Sequence, residues 1–108
     1  MSNLPHEEDL LIYDLNAQKG TFKLLIILFN HGRLFGNKIL SYGMNDRTLI
    51  KARRVLLKFG LLSLTHSSGS RRIYYELTEK GYRVAQHLID MERLLLVDFG
   101  KESLSHDQ

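Results

Sequence analysis

Between Gly43 and Gly60 runs a segment that carries two interleaved spacings. Leu49, Ala52, Leu56 and Phe59 recur at intervals of 3, 4 and 3, while Arg47, Lys51, Arg54 and Lys58 recur at 4, 3 and 4. A helix turns by about 100° per residue, so each set forms a stripe and the two stripes lie on roughly opposite sides. Asn45 or Asp46 offers an acceptor for the first free backbone N–H groups, and Gly60 supplies a stop. The segment therefore predicts a helix over Asn45–Phe59, docked by its apolar side with a row of cations facing outward. Any fold open to the chain must provide a core for one side and leave the other bare.

The flanking segments supply that core. Pro5–Ala17 predicts a helix: Pro5 suits a first turn, and Glu7, Glu8 and Asp9 complement the positive N-terminal end. Its run of Leu10, Leu11, Ile12, Tyr13 and Leu15 requires a packing partner. Thr21–His31 reads as a buried helix with Thr21 as N-cap, Leu24, Leu25, Ile27, Leu28 and Phe29 around most of its circumference, and Gly32 as its stop. Gly36 reads as a stop as well. Asn37–Tyr42 predicts a short helix with Ile39 and Leu40 inward, ended by Gly43. Leu61–Thr65 and Arg71–Leu77 alternate apolar and polar residues and predict a hairpin with a polar turn over His66–Ser70. Thr78 is positioned to cap a final helix reaching Phe99, with Gly100 as its stop and Lys101–Gln108 as a frayed tail. The fold class expected is α+β, mainly α.

At 108 residues the chain is one domain's worth of protein. It has no cysteine, which excludes a disulfide scaffold, a thiolate metal site and a Cys nucleophile together. No apolar run reaches the ~18 residues a membrane-spanning helix needs, and the polar, acidic start argues against a secretory signal. The expectation is a cytoplasmic protein without a membrane partner. The net charge is only +3, but it is segregated: Lys19 to Arg83 holds 13 Lys or Arg against the acids Asp46, Glu76 and Glu79. A block so one-sided raises the local potential and favours a polyanion, of which nucleic acid is the commonest.

The order of elements places a tight turn containing Gly43 between a short helix and the cationic one, the helix-turn-helix arrangement. A cationic side held outward by its own apolar underside fits the DNA major groove. Asn45, Arg47, Thr48, Lys51 and Arg54 then stand nearest bases and flanking phosphates, with Lys58 on the backbone. Arg47 or Arg54 suits a bidentate contact with guanine. The hairpin forms a second contact, with Ser68 and Ser70 at its tip and Arg71 and Arg72 following, suited to phosphates or a narrow minor groove. No catalytic group, metal site or cofactor is expected. The five histidines are scattered, there is no Gly-rich phosphate loop, and Ser67 and Ser68 lack a paired histidine and acid.

With these residues in place, the chain resembles the winged helix-turn-helix regulators of the MarR, PadR and HxlR kind, many of them archaeal or bacterial. The resemblance spans roughly residues 10 to 90. It is carried by Lys19-Gly20-Thr21, Arg47-Thr48-Leu49, Phe59-Gly60-Leu61-Leu62 and Tyr75-Glu76-Leu77-Thr78-Glu79-Lys80-Gly81, in that order. It implies a homodimer on a palindromic operator, with the cationic helix as reader and the hairpin as wing. Arg53 departs by standing where the family usually has an apolar residue. Val55 and Leu57 stand where it usually has charged ones. Either the reader face is rotated slightly, or Ile50 and Leu57 touch another protein.

In the final helix Val84, Leu88, Met91 and Leu95 recur at 4, 3 and 4, a coiled-coil-like seam. This predicts a dimer interface built from Leu11, Val84, Leu88, Met91, Leu95 and Phe99. The chain then divides into an interface segment (1–19), the winged helix-turn-helix (20–81), a dimerisation helix (82–100) and the tail (101–108). The function expected is a sequence-specific, duplex-DNA-binding transcriptional regulator, a repressor, acting as a homodimer. One alternative is a plasmid or viral centromere-binding partition protein that spreads on DNA through Ile50 and Leu57. The other is a protein–protein adaptor that uses the same fold without DNA.

Overall fold

The computed structural model describes the backbone of residues 9–106 and the side chains of residues 9–97. The expectations placed on Pro5, Glu7, Glu8 and the Phe99 side chain lie outside the described residues. The elements are α1 (Leu11–Ala17), α2 (Thr21–His31), β1 (Leu34–Phe35), α3 (Gly36–Leu40), α4 (Asp46–Lys58), β2 (Leu62–His66), β3 (Ile73–Leu77) and α5 (Glu79–His106). Mainly helical, with one small antiparallel sheet in the order β1-β3-β2, the chain has the expected fold class.

Helix α2 is the centre of the molecule. Leu24, Leu25 and Leu28 are fully buried, and Leu49, Ala52 and Leu56 of α4, Ile39 of α3, Tyr75 and Leu77 of β3 and Ala85 of α5 close around them. Each fully buried leucine contributes about 2 kcal/mol of transfer free energy, so this wrapped helix anchors the others. The N-cap of α2 is Gly20, not Thr21. Gly20 adopts φ +93°, and a Cβ there would stand 2.5 Å from the Thr48 methyl group. Only glycine meets both demands. Thr21 instead sits inside the first turn, buried, and its hydroxyl donates to the Leu15 carbonyl at 2.6 Å, tying α2 to the end of α1.

Three boundaries differ from the sequence expectations. Gly36 opens α3 rather than stopping a helix. Leu34 and Phe35 form an edge strand paired with Tyr75 and Tyr74, which two residues cannot reveal through alternation. The final helix passes through Gly100 and reaches His106. One glycine inside a helix costs only about 1 kcal/mol, too little to terminate it. The expected division between 81 and 82 accordingly falls within α5, and so does most of the supposed tail.

The junction between the hairpin and α5 is built by backbone contacts. Thr78 Oγ1 accepts the Gly81 N–H at 3.0 Å and donates to the Gly60 carbonyl at 2.7 Å. Lys80 Nζ donates to the Phe59 carbonyl at 2.9 Å, and Thr78 N–H to the Leu61 carbonyl at 3.1 Å. A Cβ at Gly81 would collide with the Leu61 carbonyl oxygen. The Thr-Glu-Lys-Gly segment thus clamps the C-terminal end of α4 to the start of α5. No helix among the described residues is long and apolar enough to cross a membrane.

Candidate nucleic-acid interface

Helix α4 is oriented by its own composition. Leu49, Ala52 and Leu56 are buried, while Arg47, Lys51, Arg54 and Lys58 are all exposed on the other side. The helix begins where Asn45 Oδ1 accepts the Thr48 N–H at 2.8 Å. That bond occupies the Asn45 carbonyl oxygen and leaves its amide N–H groups free. Thr48 is half-buried because its methyl group packs at Gly20. The preceding turn is held at Gly43 (φ +93°), whose carbonyl accepts Lys23 Nζ at 2.8 Å. Tyr42 stacks on His31 at 4.2 Å. The tight turn and its flanking helices are therefore pinned to α2 from two sides.

Arg53 has a different role from the other cations of α4. It is half-buried, and its Nη1 donates to the Tyr75 hydroxyl at 2.9 Å. It forms a hydrogen-bonded strut between α4 and the middle strand. Ile50 and Leu57 are 37% and 42% exposed and contribute little to the core, whereas Val55 packs against it.

The hairpin tip turns at Gly69 (φ +73°), with Ser67 N–H donating to the Arg72 carbonyl and Ser70 N–H to the Ser67 carbonyl, both at 3.2 Å. Ser70 Oγ accepts the Arg72 N–H at 3.0 Å. Ser68, Ser70, Arg71 and Arg72 are all exposed. A groove of about 490 Å³ runs between α4 and this hairpin, with Asp46, Ile50 and Arg53 on one bank and Ser70, Arg71 and Arg72 on the other. The sequence reading missed Arg33. This exposed cation lies 4.4 Å from the centre of the Tyr74 ring and donates to Thr65 Oγ1 at 3.1 Å. Nothing local marks it, since its partners are 32 and 41 residues away in the chain.

The seam of the final helix is divided between two roles. Leu88 is buried in the subunit's own core and Val84 half-buried against it, which leaves Leu88 little surface for a partner. From Asp90 to Val97 every side chain is exposed, including Met91, Leu94, Leu95, Leu96 and Val97. Leu11, Ile12 and Tyr13 of α1 are exposed as well.

No protein-family model and no curated protein matches the chain. Solved structures do. A MarR-family protein of Porphyromonas gingivalis W83, described as a transcriptional regulator, superposes with TM-score 0.68 at 20% identity, over 87% of this chain and 96% of that one. The adhesin competence repressor AdcR of Streptococcus pyogenes superposes with TM-score 0.67 at 19% identity, over 88% of this chain and 74% of that one. ZitR of Lactococcus lactis, a double mutant in its apo form, gives 0.67 at 15% identity over the same shares. The fold is that of the MarR-type winged helix. In those terms α3 and α4 form the helix-turn-helix, and the β2–β3 hairpin is the wing.

Proposed function

We propose that this winged helix is a duplex-DNA-binding transcription regulator, a repressor, that acts as a homodimer. The observation that carries the reading is the exposed row of Arg47, Lys51, Arg54 and Lys58, backed by the buried Leu49, Ala52 and Leu56. A cationic helix face with no apolar cover fits the major groove, and Asn45 and Thr48 at its N-terminal end belong to the same reading surface. Ser68, Ser70, Arg71 and Arg72 extend it through the wing. The solved structures of this fold include one described as a transcriptional regulator and one named a repressor, which supports the same reading. The dimer is supported by the bare apolar surface of Met91, Leu94, Leu95, Leu96 and Val97, joined by Leu11. Pairing there doubles the phosphate contacts and sets two readers about one helical turn apart on the DNA.

The test is binding to duplexes selected from a random pool, measured across a salt series. Arg47→Ala combined with Arg54→Ala is expected to weaken binding at least tenfold and to lower the salt slope by about one unit for each lost phosphate contact. Unchanged affinity and slope would refute the reading and favour a protein adaptor. Exposure of Ile50 and Leu57 motivates the partition-protein alternative, which predicts a footprint that lengthens with protein concentration; a footprint confined to one palindrome supports the regulator.

A further inference from the structure

We propose that Arg33, which lies outside both the reader helix and the hairpin tip, is a phosphate contact that acts with Arg72 across the outer face of the sheet. The proposal rests on the reading of the chain as a duplex-DNA-binding protein. The antiparallel register sets Thr65, Tyr74 and Phe35 in one row across β2, β3 and β1. Alternation places that row on the opposite face from the buried Tyr75. Tyr74 and Phe35 meet edge to face, their ring centres 6.1 Å apart at 78°. Each ring carries a guanidinium. Arg33 stands 4.4 Å from the Tyr74 ring centre and Arg72 stands 4.3 Å from that of Phe35. The bond from Arg33 Nη2 to Thr65 Oγ1 fixes the first of these further. The result is a ladder of cation, ring, ring, cation across the root of the wing.

A guanidinium stacked on a ring is held by its flat face and keeps N–H donors free along its edge. Its position is set before any partner arrives, so less side-chain entropy is lost on binding. Glu76 shares this face by strand parity. The ion pairs among the described residues are Arg83–Glu79 and Arg93–Asp90, and they involve neither arginine of the ladder. Arg72 also borders the groove whose other bank, on α4, carries Asp46, Ile50 and Arg53. Two preordered, exposed guanidinia on one face of the sheet fit a phosphodiester backbone.

The experiment measures binding of the full chain to a selected duplex and to an unrelated one across a salt series. Arg33→Gln is expected to weaken both duplexes by a similar factor, on the order of fivefold, and to lower the salt slope by about one unit. Arg33→Lys should recover the slope and only part of the affinity, because it restores charge without the planar stack. Wild-type affinity and slope in Arg33→Gln would overturn the proposal. Lost affinity at an unchanged slope would overturn it too, since that marks a disturbed hairpin. A second measurement needs no variant: phenylglyoxal modification of the wild-type chain, mapped by mass spectrometry, should slow at Arg33 when duplex saturates the protein, and equal labelling with and without duplex refutes the contact. A wild-type chain that binds no duplex sinks the functional reading and this inference together. Duplex binding lost in Arg47→Ala/Arg54→Ala but untouched in Arg33→Gln sinks this inference alone.

Discussion

Gly81 and Arg53 do work that their residue types conceal. Gly81 lies in the first turn of α5 with a negative φ, so backbone freedom does not explain it. The explanation is contact: the Leu61 carbonyl occupies the space a Cβ would need. Gly81→Ala should therefore destabilise the fold by about 1–3 kcal/mol, read as a lower urea midpoint at unchanged slope, even though alanine is the better helix former. Arg53 is a strut whose partner is the hydroxyl of buried Tyr75. Tyr75→Phe should cost about 1–2 kcal/mol in thermal or urea denaturation. The cost should largely vanish in a background that already carries Arg53→Met, where the hydrogen bond is absent.

At the scale of elements, α4 combines a strong local start with long-range docking. Its N-cap bond from Thr48 to Asn45 is local and exposed. Asn45→Ala should cost about 1 kcal/mol in denaturation, and Asn45→Ser should restore most of it, because serine also accepts the first free N–H groups. If DNA binding falls in Asn45→Ser at full stability, the free amide N–H groups of Asn45 belong to the reading surface as well. The wing behaves differently. Its tip is held by three hydrogen bonds among Ser67, Ser70 and Arg72, and its root by the rings of Phe35 and Tyr74, from β1 and β3, with the guanidinia of Arg33 and Arg72 over them.

At the scale of the whole molecule, α5 carries the surface on which the proposed dimer depends. Its 28 residues span about 42 Å, and only the first part, through Ala85 and Leu88, is taken into the core. Four adjacent residues, Leu94, Leu95, Leu96 and Val97, are more than half exposed, which brings apolar surface onto more than one side of the helix. A patch of that kind is what the proposed dimer would cover. Two substitutions on one heptad-like seam should then give opposite results. Leu88→Ala should lower subunit stability by about 2–5 kcal/mol, because it opens a cavity in the core. Leu95→Glu should leave the subunit folded and convert the proposed dimer to monomer in sedimentation equilibrium, with weaker binding to a palindromic duplex; a wild-type chain that sediments as a monomer refutes the dimer.

What periodicity can express was legible in the chain: the two stripes of α4, the buried α2, the alternation of β2 and β3, the stop at Gly32 and the caps at Asn45 and Thr78. These depend on residues within a turn or two of one another, so their spacing carries the information. Contacts between distant segments decided the rest. Strand β1 exists because Tyr74 and Tyr75 offer it an edge, Arg33 is ordered by Thr65 and Tyr74, and Arg53 faces inward because Tyr75 awaits it. The seam of α5 divides where the core ends, a boundary set by how far α2 and the sheet reach along that helix and invisible in its uniform apolar spacing.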